Sequence, residues 1–147
     1  MPGYVHAPDA ELDSADIEAI ERAASEYWEA WYTGDTERLR ATLHPDFELR
    51  GLARRILDTR TNYIATDVVT QSELVYLAGL GLGLTDPEKR LSEVTVLAAT
   101  HYVASVKTVG EGQTHLLHLM RLPEGWKIVG AIFSHEGGVI PNQTFDI

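Results

Sequence analysis

Apolar residues near the start of the chain recur every three or four positions, which is the spacing of one helix face. The residues with this spacing are Ile17, Ile20, Ala24, Tyr27, Trp28 and Trp31. Asp13 precedes them as an N-cap candidate, and Gly34 follows as a left-handed C-cap. The pattern predicts a helix that ends near residue 32. Leu39 and Leu43 predict a second, short helix that ends before Pro45.

From Phe47 onward the period changes to two, since Phe47, Leu49 and Gly51 alternate with polar residues. This alternation predicts a strand, with a short return strand at 55–57. Residues 62–82 are ambiguous and fit a helix only loosely. The glycine-rich run at 78–84 lacks the Lys-Ser/Thr ending of a phosphate-binding loop, so we interpret it as a mobile helix end or a pocket flap.

The last third of the chain predicts long antiparallel strands. Residues 94–109 alternate as one strand, 114–122 form its partner across a glycine turn, and 126–134 form a third strand after Pro123. Helical segments followed by such a meander indicate an α+β fold, with helices stacked on one face of a curved sheet. We predict a single domain over 1–147, with a tail at 1–12 and a C-terminal extension at 137–147.

Composition narrows the function. The 147 residues carry a formal net charge of -10, which disfavours nucleic acid and anionic membranes as partners. The absence of cysteine excludes disulfides, thiol nucleophiles and cysteine-ligated metals. The first residues lack a signal-peptide pattern, and no apolar run is long enough for a membrane span. We therefore expect a cytoplasmic protein.

Three segments resemble the nuclear-transport-factor-2-like superfamily, above all its lumazine-binding and SnoaL-like branches: YWEAWYTGD at 27–35, LRATLHPDF at 39–47 and LMRLPEGWKIV at 119–129. The resemblance implies a cone-shaped α+β barrel, in which a strongly bent, mostly antiparallel sheet wraps three helices and leaves a pocket at the open end. The superfamily includes ketosteroid isomerase, polyketide cyclases and dehydratases, and also members that only bind or associate. The fold therefore leaves the chemistry open.

Matching to ketosteroid isomerase implies candidate site residues. Tyr27 falls on the tyrosine that stabilises the oxyanion, His118 on the second hydrogen-bond donor, and His135 on another position inside the cone. The general base falls on Gly51, which has no side chain to act. The predicted substrate-binding residues are Trp31, Phe47, Tyr63, Tyr102 and Met120.

The two-residue period supplies a separate argument about 114–122. It places His118 and Met120 on one face and His115 on the other. We interpret the first face as the interior, where His118 is either a proton-transfer group or a core histidine satisfied by a carbonyl or a tyrosine. The opposite face would then present His115, Leu117 and Leu119 on the outside, where the resemblance implies a homodimer contact.

Two functions remain open at this stage. The first is a cofactor-independent acid/base enzyme of isomerase, dehydratase or cyclase type, acting on a small, largely apolar molecule that bears a carbonyl or hydroxyl group. In it, His118 moves or donates a proton, Tyr27 binds the developing oxyanion and His135 orients the substrate. The second is a non-catalytic small-molecule-binding or dimerisation domain, favoured by the glycine at position 51.

We predict no cofactor and no metal for either function, because no two histidines have chelating spacing on a helix or strand. One geometric alternative remains, in which His118 and His135 join Asp46 or Asp67 around a metal ion.

Overall fold

The computed structural model describes residues 12–58, 63–90, 93–110 and 112–135, without the side chains of 52–58, 63–67 and 135. The C-terminal extension predicted at 137–147 lies outside these residues, as does the predicted tail except for Leu12, which packs against the core.

Two helices form at the predicted places. α1 spans Ser14–Thr33, and its N-cap Asp13 shares a capping box with Asp16. Gly34 ends the helix in the left-handed region, with φ of 69°. α2 spans Thr36–Thr42, and the side chain of its N-cap Asp35 accepts a hydrogen bond from the Arg38 N–H. Both helix predictions are confirmed.

The strand bounds are β1 Leu43–Asp58, β2 Tyr63–Thr70, β3 Glu93–Ala99, β4 Val103–Gly110, β5 Gln113–Leu122 and β6 Gly125–His135. These six strands form one mixed, curved sheet in the order β2-β1-β6-β5-β4-β3. Only β1 and β6 pair in parallel, whereas the other neighbours are antiparallel. A third helix, α3, spans Gln71–Gly79, and a short 3₁₀ helix follows at Pro87–Lys89.

Three predicted elements differ from the structure. Residues 94–109 are two strands, because the Thr100 hydroxyl accepts the backbone N–H of Tyr102 and of Val103, each at 3.1 Å, and closes a turn without glycine or proline. The region at 62–82 contains strand β2 before helix α3. The segment at 43–58 is one long strand, without a separate return strand at 55–57.

The hydrophobic core lies between α1 and the face of the sheet that curves around it. β5 contributes His115, Leu117 and Leu119 to this core, each no more than 5% exposed. The prediction that these three residues form the outer face was therefore wrong. The architecture of three helices enclosed by a bent sheet matches the predicted α+β cone. Among the described residues, no helix is long and apolar enough to cross a membrane.

Candidate functional site

A tyrosine and a histidine meet inside the cone. Tyr27 lies on the second half of α1 and is 3% exposed, and His115 lies on β5 and is 5% exposed. The Tyr27 hydroxyl is 3.1 Å from His115 Nδ1. The helix presents Tyr27 here because positions 20, 24 and 27 form its buried face. Two polar groups remote in sequence thus satisfy each other in the apolar interior.

The second ring nitrogen of His115 continues the chain of hydrogen bonds. His115 Nε2 is 2.9 Å from Gln113 Oε1, an amide oxygen that only accepts. Nε2 therefore carries the proton and donates it, and Nδ1 accepts the Tyr27 O–H. Burial raises the pKa of Tyr27 well above its usual value of 10.0, and the nearby Tyr32 phenol adds to the shift. Tyr27 thus keeps its proton, and we name this arrangement the Tyr27–His115–Gln113 chain.

The backbone of His115 is held by a separate pair of hydrogen bonds. Trp28 Nε1 donates to Thr108 Oγ1 at 2.8 Å, and Thr108 Oγ1 donates to the His115 carbonyl oxygen at 3.0 Å. Thr108 is fully buried, so its hydroxyl has both its donor and its acceptor requirement met without water. This link ties α1 to β4 and β5 directly behind the histidine.

Aromatic rings surround the imidazole. The ring centroid of Trp28 is 4.4 Å from that of His115, and the Phe133 centroid is 5.4 Å away. Phe133 also covers Gly51, since a Cβ added at Gly51 would lie 2.1 Å from Phe133 Cε1. A phenylalanine ring thus fills the space beside Gly51, the residue on which the resemblance places the general base of ketosteroid isomerase.

The chain of hydrogen bonds leads to one end of the sheet. Gln113 is the first residue of β5 and pairs with Gly110 on one side and with His135, the last residue of β6, on the other. We call this the Gln113 end of the sheet. At the opposite end, Arg121 of β5 forms an ion pair with Asp16 at the start of α1. The site therefore lies beside the C-terminal half of α1.

His118 and Met120 point away from this site. Both are exposed, and His118 lies opposite Ser105 of β4 on the outer face of the sheet. The period of two along β5 was right, but the face assigned to the interior was wrong. Apolar residues occupy both faces of this strand, so alternation alone did not distinguish them; pairing with the buried positions of β4 decides the orientation.

The other predicted site residues have mixed outcomes. Phe47 is buried with its ring centroid 6.3 Å from that of Tyr27, so these two are brought together. Trp31 is half-buried and packs against Gly83, where an added Cβ would lie 2.6 Å from the indole. Tyr102 lies in the β3–β4 turn, at the end of the sheet opposite Gln113. The side chains of Tyr63 and His135 are not among those that the structure describes.

Sequence reasoning missed the central residue of the site. His115 shares its face with Leu117 and Leu119, but Leu116 and Met120 make the opposite face apolar as well, so the pattern along β5 gave no signal that His115 lies inside. Gln113 and Thr108 gave no signal, because polar residues near strand ends are ordinary.

Within the described ranges, no three histidine, aspartate or glutamate side chains cluster around a common point where a metal ion could bind. These ranges do not include the side chains of Asp67 and His135.

Comparison with known proteins identifies the family and the fold. The family model described as "Putative lumazine-binding" matches residues 15–134, which is most of the chain. A search of the curated proteins finds no match.

Solved structures share the fold at low sequence identity. An NTF2-like protein of unknown function from Shewanella baltica is 17% identical, with a TM-score of 0.60 over 83% of this chain and 94% of that one. A ketosteroid isomerase-like protein from Erwinia carotovora atroseptica is 18% identical, with a TM-score of 0.57 over 84% and 98%. A protein described as a "putative dehydratase from the NTF2-like family" of Streptomyces avermitilis is 16% identical, with a TM-score of 0.54 over 84% and 98%. At these identities the likeness establishes the fold alone.

Proposed function

Because the chain belongs to the lumazine-binding-like family of the NTF2-like superfamily, we propose that it binds a small, largely apolar molecule at the Gln113 end of the sheet. The molecule bears a carbonyl or hydroxyl group, whose oxygen accepts the hydrogen bond that His115 Nε2 otherwise donates to Gln113. The observation that carries this proposal is the buried Tyr27–His115–Gln113 chain.

The physical basis is a fixed donor in an apolar setting. Tyr27 occupies Nδ1 and so holds the ring as the Nε2–H tautomer, while Trp28 and Phe133 hold its plane. A donor that is already oriented loses little entropy when a ligand arrives. The aromatic surroundings favour an apolar ligand body, and a single N–H favours one oxygen acceptor on it.

Binding ranks ahead of catalysis because of Gly51 and Phe133. Proton abstraction by the route of ketosteroid isomerase needs a carboxylate where Phe133 now fills the space beside Gly51. The Tyr27–His115–Gln113 chain supplies donors and no carboxylate.

A second function is an acid/base enzyme of isomerase, dehydratase or cyclase type. One observation favours it: Tyr27 keeps its proton, so Tyr27 and His115 together suit stabilisation of a developing oxyanion.

The experiment uses two probes, lumazine and the apolar ketone 1-tetralone, each titrated into the protein and followed by NMR of the histidine rings. We expect saturable shifts of the His115 ring signals. His115→Phe keeps an aromatic ring but removes the donor, so it should weaken binding at least about tenfold, the loss of one good hydrogen bond. His118→Gln, on the same strand but the outer face, is the matched control and should bind as wild type does.

Two results would overturn the proposal: neither probe binds, or His118→Gln weakens binding while His115→Phe does not. Catalysis is tested in the same samples, since a probe recovered unchanged after long incubation supports binding alone. If the wild-type protein converts either probe and His115→Phe does not, the acid/base enzyme is favoured over the binding function.

We also propose a homodimer through the outer face of the sheet. This face exposes two apolar cross-strand pairs, Val103 with Met120 and Leu116 with Ile132, whose exposure ranges from 39% to 57%. Exposed apolar pairs on a sheet face are stabilised by a covering surface, and a second copy supplies an identical one.

The mass in solution tests the dimer. Sedimentation of the wild type at micromolar concentration should give twice the mass of the chain, and Leu116→Lys should give a monomer. Tyr76→Lys, which removes another strongly exposed apolar side chain on α3, should remain dimeric. A monomeric wild type, or equal behaviour of the two variants, would contradict the proposal.

A further inference from the structure

A groove of about 440 Å³ lies on the outside of the molecule, between α1, α2 and the start of β6. The residues that line it include Ala19 and Ala23 of α1, Ala41 of α2 and Trp126 of β6; we call the three alanines its floor and Trp126 its wall. The space exists because these three helix positions carry alanine, since larger side chains there would fill it. None of the residues of the Tyr27–His115–Gln113 chain lines the groove.

Positive charge borders this groove, in a chain whose net charge is -10. Arg22 and Arg38 both line it, and the one carboxylate among the lining residues, Glu26, is engaged in an ion pair with Arg38. Arg22 makes no ion pair or hydrogen bond with any residue in the described part of the chain. The guanidinium of Arg121, which is ion-paired with Asp16, lies 5.1 Å from the Trp126 ring centroid.

These features match one class of small molecule. An apolar floor with a tryptophan wall stabilises a flat ring by burial and ring contact. An unpaired guanidinium binds a carboxylate with two parallel hydrogen bonds. We propose that the groove is a second ligand site and that it takes a small aromatic carboxylate, with the ring on the alanine floor beside Trp126 and the carboxylate on Arg22.

The test uses indole-3-acetate and its neutral isostere indole-3-acetamide, titrated into 15N-labelled protein. The three tryptophan indole N–H signals separate the sites, because Trp126 lines the groove whereas Trp28 lies beside His115. We expect the acetate to shift the Trp126 signal with half-saturation at or below about 1 mM, and the acetamide to bind at least about tenfold more weakly.

Three variants separate charge from shape. Arg22→Gln should weaken acetate binding at least about tenfold, whereas Arg40→Gln removes the same charge from α2 outside the groove and should leave binding unchanged. Ala23→Leu fills the floor without a change of charge and should also abolish the Trp126 shift; its melting temperature checks that it folds.

The proposal is overturned if acetate and acetamide bind equally, if Arg22→Gln and Arg40→Gln behave alike, or if the Trp126 signal does not move. Shifts at Trp28 and not at Trp126 would also overturn it, and would place the acetate in the cone. The function proposed for the cone is tested by the His115 signals, so either proposal can fail without the other.

Discussion

Tyr27 and His115 fix each other's hydrogen bonding, because a phenol that keeps its proton leaves Nδ1 of the imidazole as an acceptor. Neither residue type alone identified the site from sequence. Tyr27 was predicted, since it falls on a superfamily position, but the histidine beside it is His115 and not His118. A partner 88 positions away along the chain is set by strand pairing, which no local pattern contains.

The close approach of Gly51 and Phe133 gives a prediction at the level of single residues. Gly51→Ala places a methyl group inside the Phe133 ring, so we expect it to lower the free energy of unfolding by about 1–3 kcal/mol in urea titrations. The same substitution in a Phe133→Ala background should cost much less, because the clash is gone.

Gly130→Ala is the matched control for this experiment. It also adds a Cβ to a strand glycine, but the nearest atom there is the Glu48 carbonyl oxygen at 3.6 Å, an ordinary contact. We expect its effect to stay within about 0.5 kcal/mol. Equal costs for Gly51→Ala and Gly130→Ala would show that Phe133 does not fill the space beside Gly51.

Elements with local signals were predictable, and those without them were not. α1 and α2 carry their own caps, Asp13, Gly34 and Asp35, so their bounds followed from sequence within one or two residues. The β3–β4 turn uses a threonine hydroxyl in place of glycine, so two strands looked like one. On β5 both faces are apolar, and only pairing with β4 selects the inner one.

The junction between α1 and β5 gives a prediction about acid stability. The hydrogen bond from Arg121, and then that from the Asp13 backbone, lower the pKa of the Asp16 carboxyl below its usual value of 3.8. A carboxyl with a lower pKa in the folded state stabilises the fold above about pH 4, and this contribution is lost as pH falls through the lowered pKa.

Asp16→Asn should therefore have a lower free energy of unfolding than wild type at pH 7. The difference between the two proteins should become smaller when the urea titrations are repeated at lower pH, down to about pH 2.5. Glu124→Gln, which alters an exposed side chain that forms no ion pair in the described part of the chain, should show no comparable narrowing. A wild-type advantage over Asp16→Asn that is constant with pH would contradict the role of the Arg121 contact.

At the scale of the whole molecule, the cone was predictable because its opening and closing segments resemble a known superfamily over most of the chain. The contents of the cone were not, because they depend on how six strands align and on which side chains cross from helix to sheet. Gly51 illustrates the difference: its identity was evident in the sequence, but the Phe133 ring above it required the β1–β6 pairing.

The central claim is that His115 is a fixed N–H donor held by Tyr27. Long-range 1H–15N correlation of the histidine rings at neutral pH tests it most directly, because it reports which ring nitrogen carries the proton. We predict that His115 Nε2 is protonated and Nδ1 is a bare acceptor, and that Tyr27→Phe loosens this preference. A protonated Nδ1 in the wild type, or a tautomer unaffected by Tyr27→Phe, would contradict the account.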